Sequence, residues 1–308
     1  MPRTVLVPLD ASAVSIRALP LARTIARLWR ARLVLVHATR QPASTSAARV
    51  AGGNDLAALA RELHKEAIEG EAITCQAAPA NAIVTIARER QADLIVMASH
   101  QRHGLDHWLH GSVTEQVLAH TTIPLLVVPS HGAPVPAPRQ RVRILVPLDG
   151  SPLGETVLNF LTEAASGWPL EVRLLRVVRL IGNAGFAAAC GLMPLVPADI
   201  IEVTRNQADA YLAERVRALQ AGGVSAQAQA IETVEPVASL ILATAERSRV
   251  DAIALGTHGK GSLTRFALGS VSEDVLEHAP IPVLLVPPAT RAAHLRTGVA
   301  PDPLVIHA

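Results

Sequence analysis

Two short runs in the second half of the chain hold residue types suited to anions and hydroxyl groups. Asp149-Gly150-Ser151 closes an apolar run, and Leu255-Gly256-Thr257-His258-Gly259 is followed, after nine intervening residues, by Gly269-Ser270-Val271-Ser272. Glycines let the backbone turn with positive φ and come close to a ligand. Successive N–H groups in such a turn form an anion-binding concavity. Ser270 stands three residues before Glu273, the capping-box spacing that opens a helix. The first N–H groups of a helix lack partners and carry partial positive charge, which suits a phosphate. A carboxylate at Asp149 is a poor neighbour for phosphate and a good acceptor for ribose or base donors. A lone Gly-x-x-Gly is equally an ordinary strand-to-helix turn; the Gly269-Ser270 that follows and the aspartate together point to a nucleotide. Lys260-Gly261-Ser262 is not a P-loop, because the lysine is not followed directly by Ser or Thr.

The elements that must position these residues are written twice. Leu6-Val7-Pro8-Leu9-Asp10 recurs as Leu145-Val146-Pro147-Leu148-Asp149, Gly111–His120 as Gly269–His278, and Ile123–Pro129 as Ile281–Pro287. The first match is offset by 139 residues and the others by 158, so the second copy carries 19 extra residues, which we place in the Gly-, Ala- and Pro-rich stretch 181–200. That stretch follows the second strand, above the candidate pocket, and its glycines Gly182, Gly185 and Gly191 make it a candidate lid. Alternating prolines at 134–138 favour an extended connection. The domains are therefore drawn as 1–130, a linker 131–141, 142–288 and a tail 289–308, in which Pro303–Ile306 is a candidate edge strand.

Each copy alternates strand and helix. In the first, strands are expected at Thr4–Leu9, Arg32–Ala38, Ile73–Ala77, Asp93–Met97 and Leu125–Val128. Helices are expected from Val14 to Leu28 with a kink at Pro20, and at Asp55–Glu69, Ala80–Arg90 and Ser112–Ala119. In the second copy strands fall near Val142–Leu148, Glu171–Val177, Val224–Ala230, Asp251–Leu255 and Val283–Val286. Strands that are apolar throughout, alternating with helices, make an α/β fold of two repeated doubly wound domains, with a parallel sheet covered on both faces. In such sheets ligands bind beyond the carboxyl ends of strands, where strand order reverses.

Composition narrows the classes. Half the residues are hydrophobic, 18% are charged and the net charge is +2, which argues against disorder and against a nucleic-acid surface. No apolar run approaches the ~18–20 residues needed to span a bilayer. The start, Met1–Asp10, is too short in apolar residues for a leader peptide. Cys75 and Cys190 lack metal-ligand spacing and fit a reducing cytoplasm.

The glycine pattern, the Val-Pro-Leu-Asp-Gly-Ser strand end and the Ile-Pro-Val-Leu-Leu-Val-Pro last strand together resemble the universal stress protein family. Both copies share the resemblance, over roughly residues 3–130 and 142–288. It implies two five-stranded parallel sheets in the order 3-2-1-4-5, pairing of two domains through their last strands, and cytoplasmic stress-linked roles. Members with the full pattern bind ATP. Carried onto this chain, the pocket comprises Asp149, Val177, Leu255, Gly256, His258, Gly259, Gly269, Ser270, Val271 and Ser272. Asp149 and the Val177 backbone would face base and ribose; the glycine turns and Ser270–Ser272 would hold the phosphates. ADP, AMP and Mg²⁺ are compatible with the same cradle. Partners implied are the nucleotide, the intramolecular pseudo-dimer and a second chain, with no nucleic acid or membrane. The leading reading is a regulatory nucleotide-binding protein rather than an enzyme. The alternatives are a slow ATPase, a phosphoryl or adenylyl transferase, or an adaptor dimer with structural nucleotide.

The first copy departs from the pattern. Ala98 and Gln101 stand in place of Gly256 and Gly259, while Asp10, Ser12, Gly111 and Ser112 remain. His100, His103, His107 and His110 share a helical face if that segment is a helix, but the matching stretch of copy two is a loop, so they are read as solvated rather than as metal ligands. His120 and His278 match at a helix end, where a cation complements the dipole.

Forcing a side chain into a backbone conformation suited to glycine costs roughly 1–3 kcal/mol, a roughly 5- to 150-fold weaker site. Calorimetry with ATP should therefore show close to one tight site per chain, lost in Asp149→Ala and kept in Asp10→Ala. Two equal sites, or loss of the tight phase only in Asp10→Ala, would reverse the assignment of the binding copy.

Overall fold

The computed structural model describes residues 3–10, 12–39, 49–50, 54–99, 113–130, 141–152, 154–167, 169–179, 198–257, 268–288 and 305–307. The chain divides into two compact units. One takes in Met1–Arg139 and Ala279–Ala308, the other Gln140–Leu263 and Leu268–His278.

In the first unit the elements are β1 (Thr4–Pro8), α1 (Ala18–Trp29), β2 (Arg32–Thr39), a short hairpin β3 (Arg49–Val50) and β4 (Asn54–Asp55), α2 (Leu56–Lys65), β5 (Gly70–Gln76), α3 (Pro79–Glu89), β6 (Leu94–Ser99), α4 (Val113–His120) and β7 (Leu125–Pro129). Parallel pairing runs β5-β2-β1-β6-β7, which is the order 3-2-1-4-5 once the hairpin is set aside. Successive residues Val5, Leu6 and Val7 of β1 are all 0% exposed, so both faces of the sheet are covered. The apolar periodicity of α1 buries Ala18, Leu19, Ala22, Ile25, Ala26 and Trp29 along one stripe.

In the second unit the elements are β8 (Val142–Pro147), α5 (Thr156–Ala165), β9 (Leu170–Arg179), α6 (Ala198–Ala221), β10 (Ser225–Thr233), α7 (Val237–Arg247), β11 (Ala252–Gly256) and α8 (Ser270–His278). The order β10-β9-β8-β11 repeats the arrangement of the first four strands of copy one. The fifth strand, β12 (Val283–Val286), falls in the first unit. It lies antiparallel to β7, with Val283 opposite Val127 and Leu285 opposite Leu125. The final strand, β13 (Val305–His307), also joins the first unit, antiparallel along the outer edge of β5.

One contact recurs in both repeats and fixes the central register. The Thr4 N–H donates to Asp93 Oδ2 at 2.8 Å, and the Asp93 N–H returns to the Thr4 carbonyl at 2.9 Å. In the second repeat the Arg143 N–H donates to Asp251 Oδ2 at 2.8 Å, and the Asp251 N–H to the Arg143 carbonyl at 2.8 Å. The aspartate before the fourth strand thus clamps the start of the first strand.

Several expectations shift. The α-helix near the N-terminus begins at Ala18, after a 3-10 turn at Ser15–Arg17, so Pro20 sits in the first helical turn. A missing N–H there forfeits no helical bond, and the sequence reason for a kink disappears. The helix expected from Asp55 starts at Leu56, because Asp55 is its cap and accepts from the Ala57 N–H at 3.1 Å. The hairpin β3–β4 has no sequence signal of its own. Cys75 is buried in β5, where desolvation pushes its thiol up from the ordinary value. Cys190, the linker residues 131–140 and residues 181–197 of the candidate lid 181–200 lie outside the described residues, and the last three residues of that stretch, 198–200, open α6 instead of continuing a loop.

Removing the clamp should cost stability without touching the site. Asp251→Ala leaves the Arg143 amide without its carboxylate, and urea unfolding should show a loss of about 1–2 kcal/mol. Asp274→Ala, whose side chain is exposed on α8, should stay within about 0.5 kcal/mol. Equal effects would show that the clamp contributes nothing special.

Candidate functional site

The crevice between the first and fourth strands of the second repeat is built from three strand ends. Leu145 of β8 pairs with Ile253 of β11, and Pro147 with Leu175 of β9. Asp149, two residues past Pro147, therefore emerges beside the Val177 segment of β9 on one side and the Leu255–Gly256 end of β11 on the other. Leu255 is buried, and Val177 and Gly256 are half-buried.

Beyond β8 the chain folds around the Asp149 carboxylate. Asp149 Oδ1 accepts from the Ser151 N–H at 2.9 Å and from the Ser151 hydroxyl at 2.6 Å. Ser151 Oγ in turn accepts from the Gly154 N–H at 3.0 Å. Two glycines make this possible. Gly150 has φ +73°, and a Cβ there would lie 3.1 Å from the Arg176 guanidinium. A Cβ at Gly154 would lie 2.8 Å from Asp149 Oδ1. The sequence reading took Gly150 only as part of the strand-end motif and missed Gly154 altogether.

The opposite wall is tied down at the start of α8. The Ser272 hydroxyl donates to the Gly256 carbonyl at 3.2 Å, and the Gly269 N–H to the Thr257 carbonyl at 3.2 Å. The first helical bond runs from the Glu273 N–H to the Gly269 carbonyl at 3.0 Å, so Gly269, not Ser270, is the N-cap. The capping-box reading of Ser270 is corrected accordingly; Ser270 is exposed in the first turn and Val271 half-buried beside it. Gly269 has no left-handed φ, and no atom of the described residues lies within 4 Å of a Cβ built there. The structure thus gathers Asp149, Val177, Leu255, Gly256, Gly269, Ser270, Val271 and Ser272 at one end of the sheet. His258 and Gly259 lie outside the described residues.

A cluster that sequence reasoning missed flanks the Asp149 loop. Arg176 Nη1 donates to the Leu148 carbonyl at 3.0 Å, and its guanidinium stacks 5.7 Å from the Tyr211 ring centre. Arg215 covers the same ring at 5.4 Å. The Tyr211 hydroxyl donates to Glu155 Oε1 at 2.7 Å, an oxygen that Arg215 Nε also approaches at 3.5 Å. Burial, then the bond to Glu155 and its negative charge, push the Tyr211 phenol far above its ordinary range, against the opposing pull of the two arginines. The available signal was an arginine interrupting the apolar run Leu174-Leu175-Arg176-Val177-Val178 at a strand end.

The first repeat keeps part of this geometry. Asp10 Oδ1 accepts from the Ser12 N–H at 2.8 Å and from the Ser12 hydroxyl. Ala98, in the position of Gly256, is buried in β6 opposite Val128. Gln101, Gly111, Ser112, His100, His103, His107 and His110 lie outside the described residues. His120 and His278 each end a helix with Nδ1 at 2.8 Å and 2.9 Å from the carbonyl four residues back; a carbonyl only accepts, so that nitrogen carries the proton.

Comparison with known proteins agrees with this architecture. A family model described as the Universal stress protein family matches residues 1–129 and 141–287. A universal stress protein of Mycobacterium tuberculosis (strain ATCC 25618 / H37Rv) is 29% identical over 208 residues, covering 67% of this chain and 65% of the relative. The matched stretch is thus just under two thirds of that relative's length. One from Methanocaldococcus jannaschii is 30% identical over 144 residues, 47% of this chain and 81% of its own. Among solved structures, a universal stress protein from Archaeoglobus fulgidus superposes with a TM-score of 0.64 at 19% identity, covering 92% of this chain and 96% of its own. A functionally unknown protein from Pseudomonas aeruginosa PAO1 gives 0.67 at 18% identity, covering 96% and 95%. At these identities the likeness establishes the fold. Among the described residues no helix is long and apolar enough to cross a membrane.

Tyr211 is the chain's one tyrosine, so the pH-dependent rise in absorbance at 295 nm reads its ionisation alone. Its raised value favours the neutral phenol in the folded state. That contribution to stability is complete below the unfolded value near pH ~10 and is lost as pH rises through the folded value. The native protein should show little phenolate at about pH 10, where the urea-unfolded chain is half ionised. A native midpoint near 10 would put the ring in water.

Proposed function

The chain belongs to the universal stress protein family, and from that premise we propose that it is an ATP-binding regulatory protein of the stress response, with the nucleotide held by its second repeat. The observation that carries this reading is the pairing of opposite chemistries across the β8–β11 crevice. On one side stands a carboxylate fixed by the Ser151 turn, suited to ribose or base donors. On the other, α8 is anchored to the end of β11 through Ser272 and Gly269, so its first N–H groups, which have no helical partners, lie beside that strand end.

Gly269 supports the same reading. Neither its backbone conformation nor its neighbours among the described residues require a glycine, whereas a phosphate lying against the backbone would. In the full proposal Asp149 and the Val177 backbone take base and ribose. Gly256, His258, Gly259, Gly269, Ser270, Val271 and Ser272 then surround the phosphates. The first repeat, which has Ala98 in place of Gly256, is the weaker site. Bound ATP would bias the chain's association with partners, including a second copy of itself, in the cytoplasm. The domain limits 1–130 and 142–288 are part of the proposal.

Gly269→Val separates binding from folding. No atom of the described residues stands in the way of the side chain, so the stability read from thermal unfolding should fall only by the few tenths to ~1 kcal/mol of a lost N-cap preference. ATP affinity measured by calorimetry should fall at least tenfold. Wild-type affinity in this variant would place the phosphates elsewhere. A steady-state ATP turnover near 1 per second or faster, within the range of ordinary enzymes, would replace the regulatory reading with an enzymatic one.

A further inference from the structure

In each repeat the last ladder bond of the first strand leaves one carbonyl beyond the sheet, and a side chain from the neighbouring strand collects it. In the first repeat the Leu9 N–H donates to the Val36 carbonyl at 2.8 Å, and His37, the next residue, places Nδ1 2.9 Å from the Leu9 carbonyl. In the second repeat the Leu148 N–H donates to the Leu175 carbonyl at 2.9 Å, and Arg176, again the next residue, reaches the Leu148 carbonyl at 3.0 Å. Val36 pairs with Pro8 and Leu175 with Pro147, so His37 and Arg176 occupy equivalent positions. The carbonyl they hold belongs to the residue immediately before Asp10 or Asp149.

We propose that Arg176 is the positioning residue of the second-repeat site: it holds the Leu148 carbonyl, and through it the Asp149 carboxylate, in the orientation that receives the nucleotide. The proposal rests on the nucleotide reading above. Three contacts locate the guanidinium. Nη1 holds the carbonyl, the plane lies over Tyr211 of α6, and the group stands 3.1 Å from where a side chain on Gly150 would begin. Gly150 is therefore doubly constrained, by its φ of +73° and by the arginine beside it. A bond from a charged donor to a buried-end carbonyl is stronger than a neutral one, and here it acts one residue away from the carboxylate. His37 shows that an imidazole of the right reach fills the same position in the first repeat.

The test uses the full chain and the variants Arg176→Ala and Arg176→His. Two measurements are made: ATP affinity by calorimetry, and hydrogen exchange of the Ser151 amide, which reports the Asp149 turn with no ligand present. Arg176→Ala should weaken ATP about tenfold, the worth of one charge-assisted hydrogen bond. It should also speed exchange at Ser151, while the amide of Leu174, buried in the middle of β9, stays as slow as before. Arg176→His should bring both readings back to within about threefold of wild type. A general loss of folding would instead speed Leu174 and Ser151 together and would not be rescued by histidine; that pattern overturns a positioning role. Wild-type affinity and wild-type Ser151 exchange in Arg176→Ala overturn it as well. If the wild-type chain binds no ATP, the nucleotide reading fails on its own, and the Ser151 exchange decides alone whether Arg176 holds the Asp149 turn.

Discussion

The position of the crevice depends on which strand lies beside the first one. In both repeats that choice is held by a carboxylate at the far end of the sheet: Asp93 on the Thr4 amide and Asp251 on the Arg143 amide. A parallel neighbour reached by a long crossover gains nothing from local chain connection. A reciprocal pair of bonds at the strand start therefore does what a tight turn does in a hairpin. It sets the register, and the register sets which residues arrive together five or six positions later. Asp149 faces the end of β11 only because Ile144 and Leu145 are level with Ala252 and Ile253.

Most of the fold was legible because its signals are periodic and repeated. Apolar strands, amphipathic helices and the duplicated strand ends are properties of many residues at once, so an error at one position does not spoil the pattern. The order 3-2-1-4-5 came from family resemblance rather than periodicity, which says nothing about neighbours. What escaped was local. Whether Ser270 or Gly269 caps α8 is decided by one hydrogen bond, and the capping-box spacing Ser270–Glu273 points to the frame one residue too late. Pro20 looked disruptive only while the helix was thought to begin earlier. Gly154 is required by a 2.8 Å approach to a carboxylate five residues away, a distance that no composition rule contains. Arg176 was passed over because a charged residue inside an apolar run was read as strand, not as site.

The two repeats show how one scaffold accommodates different solutions at the same points. The aspartate turn is kept, with Ser12 and Ser151 in matching roles. Around it the supports differ. Histidine or arginine collects the strand-end carbonyl. Ser15, in the position of Gly154, bonds the Asp10 backbone through its own hydroxyl, whereas Gly154 presents only an amide and an absence of side chain. All of these exchanges lie beyond the last ladder bonds that β1 and β8 make with β2 and β9.

The strand β12 carries a consequence for the order of events during synthesis. Its partner β7 leaves the ribosome 156 residues ahead of it, counting from Val127 to Val283. At translation rates of about 5–20 residues per second, β7 waits roughly 8–30 s with its outer edge unpaired. Four of its five residues are aliphatic, Leu125, Leu126, Val127 and Val128, and such an edge is a template for any passing strand. Throughout that interval the edge of β7 has no β12 to cover it, and a chaperone able to cover a short apolar edge would have its window there.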